Sequence, residues 1–230
     1  MSFEIRIFSI DVAMIPCPGS TKHADNTKTR AGARWQHCPP ALADRHHKAW
    51  LTRPGALTDG LRGLGQVQLD VLGESVVVPA VDEQRALHID AAQIKPTQAA
   101  RVREVCMSID GVPCVVARSV LTVRGYAGAW QTIRRLGQRP LADLLYHDAR
   151  VARTPFEMAR LGRAHPLAAV ARRHLQALDP EPSASFFQTL WARRSVFWRQ
   201  SQPLLVSECF LPAFWQIVES VAKHHTPACG

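Results

Sequence analysis

The dipeptide Asp110-Gly111, flanked on both sides by alternating apolar residues, most constrains what this chain can fold into. The stretch from Arg101 to Ser119 reads R-V-R-E-V-C-M-S-I-D-G-V-P-C-V-V-A-R-S. A type I′ turn needs positive φ at both central residues, which Asp-Gly tolerates. With those two residues as the loop, a hairpin over Val102–Val120 pairs Ile109 with Val112, Met107 with Cys114, Val105 with Val116 and Arg103 with Arg118. One face is then apolar and ends in two opposed arginines. Like charges directly opposite destabilise a ladder, and a buried charge is costly unless paired. Such a pair calls for an anion, either a protein carboxylate or a ligand.

A second strand, P-L-L-V-S-E-C-F-L-P over Pro203–Pro212, carries one ionisable group, Glu208. With period 2, Leu204, Val206, Glu208 and Phe210 share one face, and Leu205, Ser207, Cys209 and Leu211 share the other. Glu208 is therefore either an arginine's structural partner or part of a site.

Along the chain, residues 1–45 show little periodicity and read as a flexible extension, or as sequence upstream of the true start. Leu64–Pro79 alternates and predicts a second hairpin with Gly73-Glu74-Ser75 as its turn. Gly128–Leu136 reads as a helix with Gly137 as its C′ residue, and Pro140–Tyr146 as a short second one. Thr154-Pro155-Phe156-Glu157 has the pattern of a helix start with a capping box. Pro166 interrupts that helix, and Leu167–Leu178 forms another. The last strands are Arg194–Arg199 and Leu204–Leu211. Phe214, Ile217, Val218 and Val221 form one helical stripe in the C-terminal tail, 216–230 with its preceding turn. Hairpins segregated from helices, with no β-α-β repeat, predict an α+β domain with an antiparallel sheet.

The 230 residues suffice for one domain with a sizeable core. No run approaches the roughly 18 apolar residues of a membrane span. The N-terminus has neither the basic segment nor the long apolar core of a signal peptide, so the expected location is cytoplasmic, with no stable membrane association. Six cysteines are expected to be reduced. The net charge of +9 allows nucleic-acid binding, but the arginines are dispersed in pairs such as Arg134-Arg135, Arg172-Arg173 and Arg193-Arg194, outside any nucleic-acid motif. Those arginines read mainly as solvated faces; the positive field would also attract an anionic substrate. His46-His47 and His224-His225 lack metal-ligand spacing, and Gly60–Gly65 lacks the lysine of a phosphate loop. No serine-centred elbow is present.

Four blocks, R-E-V-C-M-S-I-D-G-V-P-C-V-V-A-R-S-V, L-G-Q-R-P-L-A-D-L-L-Y, W-A-R-R-S-V-F-W and P-L-L-V-S-E-C-F-L-P, resemble chorismate pyruvate-lyase in content, order and spacing. The resemblance runs from about Trp50 to Pro212. It implies a six-stranded antiparallel sheet over 46–215, with an insertion near 161–187, and a monomeric enzyme that needs no cofactor or metal. The implied reaction splits chorismate into 4-hydroxybenzoate and pyruvate, the first committed step toward ubiquinone. By the same resemblance, Arg103 contacts the ring carboxylate and Glu208 holds the 4-hydroxyl end, where it could move a proton. Leu57 and Leu141 match substrate-contacting positions; the family's usual residue at the first is methionine. Arg118 matches a second arginine, assigned to the enolpyruvyl carboxylate or to substrate passage. Effector domains of some bacterial transcription regulators share the fold, so a non-catalytic small-molecule effector-binding domain is the alternative. Residues 1–50 lack the two-helix pattern of an attached DNA-binding motif, and Pro16, Pro18, Pro39 and Pro40 oppose one.

Overall fold

The computed structural model describes residues 33–88, 99–178 and 190–224. It is an α+β fold built on one antiparallel sheet. Helices α1 (Arg45–Thr52) and α2 (Leu57–Arg62) precede strand β1 (Val67–Val77), and α3 (Val81–Ala86) follows it. The central hairpin is β2 (Ala100–Ile109) and β3 (Val112–Thr122). Next come α4 (Val123–Ala127), a 3₁₀ turn at Gln131–Arg135 and α5 (Ala142–Tyr146). Strands β4 (Ala152–Arg153) and β5 (Glu157–Leu161), then α6 (Pro166–Leu178), lead to β6 (Leu190–Arg199), β7 (Gln202–Phe210) and α7 (Pro212–His224). Among the described residues, no helix is long and apolar enough to cross a membrane.

The strand order is β1-β2-β3-β7-β6-β4, and β5 also pairs with β6. Among the described residues the sheet has seven strands rather than the expected six, because two short strands share the same edge of β6. Ala152 and Arg153 pair with Trp198 and Phe197, and Glu157 to Leu161 pair with Arg194 to Leu190. Pro155 lies between them and has no N–H for the ladder. Thr154 bridges the gap: its N–H donates to the Val196 carbonyl, and its Oγ1 accepts from the Val196 N–H. The expected helix start at Thr154 is therefore a link between two short strands, and β5 begins at Glu157. Local capping chemistry loses to an open sheet edge and to period-2 burial, which sends Met158 to one core and Ala159 and Leu161 to another. Pro166 opens α6 rather than interrupting a helix.

The Asp110-Gly111 turn forms as expected, with φ of 49° and 81°. The register beyond it does not. Ser108 pairs with Pro113, but Met107 pairs with Val115, so Cys114 is an extra residue in β3. This β-bulge follows Pro113, which cannot donate to the ladder, and it moves every later residue of β3 to the other face. Arg118 therefore opposes Glu104, while Arg103 opposes Ser119. The opposed arginines of the expected register become a favourable cross-strand ion pair. A second shift, between Val71 and Gly73, lets β1 run as one bulged strand where a hairpin turn at Gly73-Glu74-Ser75 was expected.

Both faces of the sheet are covered. On one, Met107, Ile109, Val115 and Phe210 pack against Trp50, Leu51, Leu57 and Leu61 of the first two helices and against Phe214 and Val218 of α7. The same face continues through Leu121, Phe197 and Leu204 to Trp130, Ile133 and Leu145. On the other, Cys106, Val116 and Cys209 pack against Leu167, Ala168, Val170 and Ala171 of α6. The expected C-terminal stripe is thus a helix, with Phe214 and Val218 in the core. Residues 33–44, expected to belong to a loose extension, include Trp35, whose indole N–H donates to Asp82 at 2.9 Å. Cys38 is disulfide-bonded, against the expectation of reduced cysteines throughout, whereas Cys106, Cys114 and Cys209 are free and buried.

The second face also buries an ionic network. Arg118 donates Nε to Glu83 at 2.7 Å and Nη1 to Glu104 at 2.5 Å. Glu83 in turn caps the Ala80 N–H at the start of α3. Asp82 meets His165 at 3.0 Å, and Arg194 meets Glu157 at 2.8 Å. Burial raises the Asp82 carboxyl pKa, but bonds from His165 and Trp35 prevail and hold it at about 2.

Removing one member of a buried pair strands the other's charge. Arg118→Ala is expected to lower the unfolding free energy by about 3–5 kcal/mol, read from urea transitions. Asp82 stabilises the fold fully above its unfolded value of 3.8, and that contribution is lost as pH falls through about 2. The stability difference between wild type and Asp82→Asn should accordingly be present at neutral pH and shrink toward zero near pH 2.

Candidate functional site

Period-2 alternation on four neighbouring strands delivers the site. After the bulge, β3 directs Ala117 and Ser119 to the same face as Arg103, Val105 and Met107 of β2 and Val206 and Glu208 of β7. Together with Ser195 and Phe197 of β6, these form the floor of a cavity of about 680 Å³, including its mouth. The roof is contributed by Leu57 and Thr58 at the start of α2, by 139–142 and by Leu145 and Tyr146 of α5. A concave, mostly apolar site with a few convergent polar groups is the usual form of a small-molecule pocket.

The sequence-derived candidates divide cleanly. Leu57, Arg103, Leu141 and Glu208 all line this cavity. Arg118 does not, because the Cys114 bulge puts it on the opposite face, where two carboxylates hold it. Its predicted position beside Arg103 is corrected by that one-residue shift.

Arg103 is 6% exposed. Its Nη1 donates to Glu74 at 2.7 Å and its Nη2 to the Gly137 carbonyl at 2.5 Å. Glu74 is about half exposed and sits just beyond the bulge in β1. Gly137 has φ of 54°, a conformation that favours glycine and turns its carbonyl toward the guanidinium. Two of the five guanidinium N–H donors are thereby used, which leaves others for an anion.

Glu208 pairs with Arg193 of β6, not with Arg103. The Arg193 Nε donates to Glu208 Oε2 at 2.6 Å. Arg193 is 1% exposed, and its Nη1 also donates to the carbonyls of Trp50 at 3.2 Å and Arg53 at 2.8 Å. One guanidinium thus fixes the cavity carboxylate and the segment leading to Leu57 and Thr58. Phe156, on the cavity wall, is stacked between Arg193 at 4.3 Å and Arg153 at 4.1 Å.

Arg103 and Glu208 are separated across the floor. Arg103 pairs with Ser119, which pairs with Val206, two residues from Glu208 on β7. Strand spacing and rise put their Cα atoms roughly 12 Å apart. That leaves room for a six-membered ring with one end on the arginine and the other on the carboxylate. Among the described residues, no group of three or more His, Cys, Asp or Glu side chains could hold a metal ion.

Sequence reasoning missed Arg193, Glu74, Arg139 and Tyr146. The signal for Arg193 was present: Trp191, Arg193, Ser195 and Phe197 alternate on the strand beside Glu208. The pair Arg193-Arg194 reads as a solvated cluster only if the strand is ignored. Glu74 was taken for a turn residue, which the bulged strand denies.

Burial pushes the Tyr146 phenol above its ordinary value of 10.0, and the Glu208 charge adds to this, opposed by Arg153 and Arg193. The chain has only one other tyrosine, Tyr126. Glu208→Gln should therefore move one of two phenolate transitions to lower pH and leave the other in place, as followed by ultraviolet absorbance.

The family model described as chorismate lyase matches residues 32–220. A Bordetella pertussis protein named probable chorismate pyruvate-lyase is 48% identical over 186 residues, covering 81% of this chain and 92% of that one. A Pseudomonas fluorescens protein named probable chorismate pyruvate-lyase 1 is 41% identical over 174 residues, covering 76% of this chain and 85% of that one. Among solved structures, the effector domain of PhnF from Mycobacterium smegmatis matches 69% of this chain and 90% of its own, at 13% identity and a TM-score of 0.41. With most of its length matched by the family model, and with relatives far above 30% identity, the chain belongs to the chorismate lyase family.

Proposed function

We propose that the protein is a chorismate pyruvate-lyase, splitting chorismate into 4-hydroxybenzoate and pyruvate. The observation that carries this reading is a single cavity, in a chain of that family, with a buried arginine and a held carboxylate at separate points of its floor. The reading makes the protein the source of the aromatic ring used for ubiquinone.

In the reaction the ether C–O bond at ring carbon 3 breaks and a hydrogen leaves carbon 4. The ring becomes aromatic, and the enolpyruvyl methylene gains a hydrogen to become the methyl of pyruvate. Atoms and electrons balance with no oxidant or reductant. Aromatisation makes the step downhill, so the protein's task is placement and stabilisation of developing charge. Arg103 offers planar donors to the ring carboxylate. Glu208 accepts from the 4-hydroxyl at the para end, its orientation set by Arg193. Leu57 and Leu141 contribute apolar wall that excludes water, so those polar contacts act at low dielectric. Leucine in place of the family's usual methionine keeps that wall apolar.

Purified protein and chorismate alone should yield 4-hydroxybenzoate and pyruvate in equal amounts. Binding without turnover would instead favour an effector-binding role. Arg103→Ala should lower kcat/KM by roughly 30-fold or more, the cost of removing a buried charge-paired donor. Glu208→Ala should stay folded and turn over slowly; wild-type rates in either variant would move the site elsewhere.

A further inference from the structure

We propose that Arg139 binds the enolpyruvyl carboxylate of the substrate, completing with Arg103 a two-arginine site for a dianion. The inference rests on the lyase reading and supplies a group that the reading lacks. Chorismate carries two carboxylates, and each needs a cation or several donors once it leaves water. Arg103 serves one. Arg118, the expected second, is on the far face, neutralised by Glu83 and Glu104.

Among the described residues, Arg103 and Arg139 are the arginines that line the cavity. Two charge pairs at the cavity cancel: Arg103 with Glu74, and Arg193 with Glu208. Those pairs alone would give a dianion no net attraction. Among the described residues, the Arg139 side chain donates to the Arg135 carbonyl at 3.2 Å and pairs with no carboxylate. Arg153, behind Phe156, also makes no carboxylate pair among them, but it donates to the Ser195 hydroxyl at 3.0 Å and does not line the cavity, so Arg139 is the lining cation whose charge is left over.

Its placement fits the second carboxylate. Arg139 follows Gly137 by two residues, and the Gly137 carbonyl is held by the Arg103 guanidinium. The Arg139 N–H donates to Leu136 at 3.0 Å, and Pro140 stiffens the next position. The loop carrying Arg139 is therefore tethered to Arg103, not to Glu208. In the substrate, the ether-bearing carbon is meta to the ring carboxylate, whereas the hydroxyl-bearing carbon is para to it. With the ring carboxylate on Arg103 and the hydroxyl at Glu208, the side-chain carboxylate leaves the ring plane between them, toward the roof. Arg139 is on that roof and exposed, suited to meet an incoming anion and to release pyruvate.

The test compares substrate with product, because 4-hydroxybenzoate keeps the ring carboxylate and lacks the enolpyruvyl one. Arg139→Ala should raise KM for chorismate about 10- to 100-fold, the range of one charge-assisted contact. Inhibition by 4-hydroxybenzoate should stay at the wild-type level, and Arg139→Lys should recover part of the loss. Arg103→Ala should weaken both ligands. Unchanged KM in Arg139→Ala, or equal weakening of chorismate and 4-hydroxybenzoate, overturns the assignment. If wild type binds chorismate calorimetrically without turning it over, the lyase reading fails alone, and the same comparison is made on binding constants. If wild type does not bind chorismate, both fall.

Discussion

Cys114 is one residue too many for a regular ladder, and the arrangement of charge in the sheet depends on it. The hairpin must accommodate Pro113, which has no N–H, immediately after a tight Asp-Gly turn. The bulge absorbs that defect and reverses the facing of all that follows in β3. Ala117 and Ser119, both small, then lie under the cavity, and Arg118 goes to the opposite side. In the unbulged register, Arg118 would stand beside Arg103 in the cavity, and the small residues that leave room for a ligand would be turned away. A bulge next to a site that re-aims a side chain is a recurring device in antiparallel sheets.

A sheet buried on both faces has few places for charge, and this one sorts its charges by function. On the helix α6 side they form closed groups: Arg118 with Glu83 and Glu104, Asp82 with His165, Arg194 with Glu157. Such groups fix α3 and the segment around Trp35 against the strands. On the cavity side the pairs are left open to a ligand. Glu208 has one partner and Arg103 two, and both keep spare hydrogen-bonding capacity. Arg193 makes the arrangement rigid, because one fully buried guanidinium ties the strand carboxylate to the backbone before α2. The cavity's polar ends are held in place before any ligand arrives, which is what a reaction driven by placement requires.

Much of this was legible in the chain. The Asp-Gly turn, the two-faced strand around Glu208, the helical stripe of Phe214 and Val218 and the α+β class all follow from local chemistry and periodicity. Leu57, Arg103, Leu141 and Glu208, carried by family resemblance, meet in one cavity. What failed was long-range. Thr154-Pro155-Phe156-Glu157 has helix-start chemistry, but pairing with the edge of β6 made it the link into strand β5. Gly73-Glu74-Ser75 has turn chemistry, but pairing with β2 ran straight through it. The pairing of Glu208 with Arg193 was missed because the expected first strand of that hairpin begins at Arg194, although the Gln200-Ser201 turn pairs Arg199 with Gln202 and the unbroken ladder back from it pairs Arg193 with Glu208.

The sequence by itself determined which side chains alternate, where the chain turns and which family it belongs to. These are matters of residue type and spacing of two to four positions, which act through local sterics and burial. Only the tertiary structure decided which face each charge occupies. A one-residue slip costs little locally, yet it exchanges the two faces of a strand, so the choice rests with partners elsewhere in the chain. Glu83, 35 residues before Arg118, and Glu104 across the hairpin draw that arginine away from the cavity, while Glu74 and the Gly137 carbonyl hold Arg103 within it.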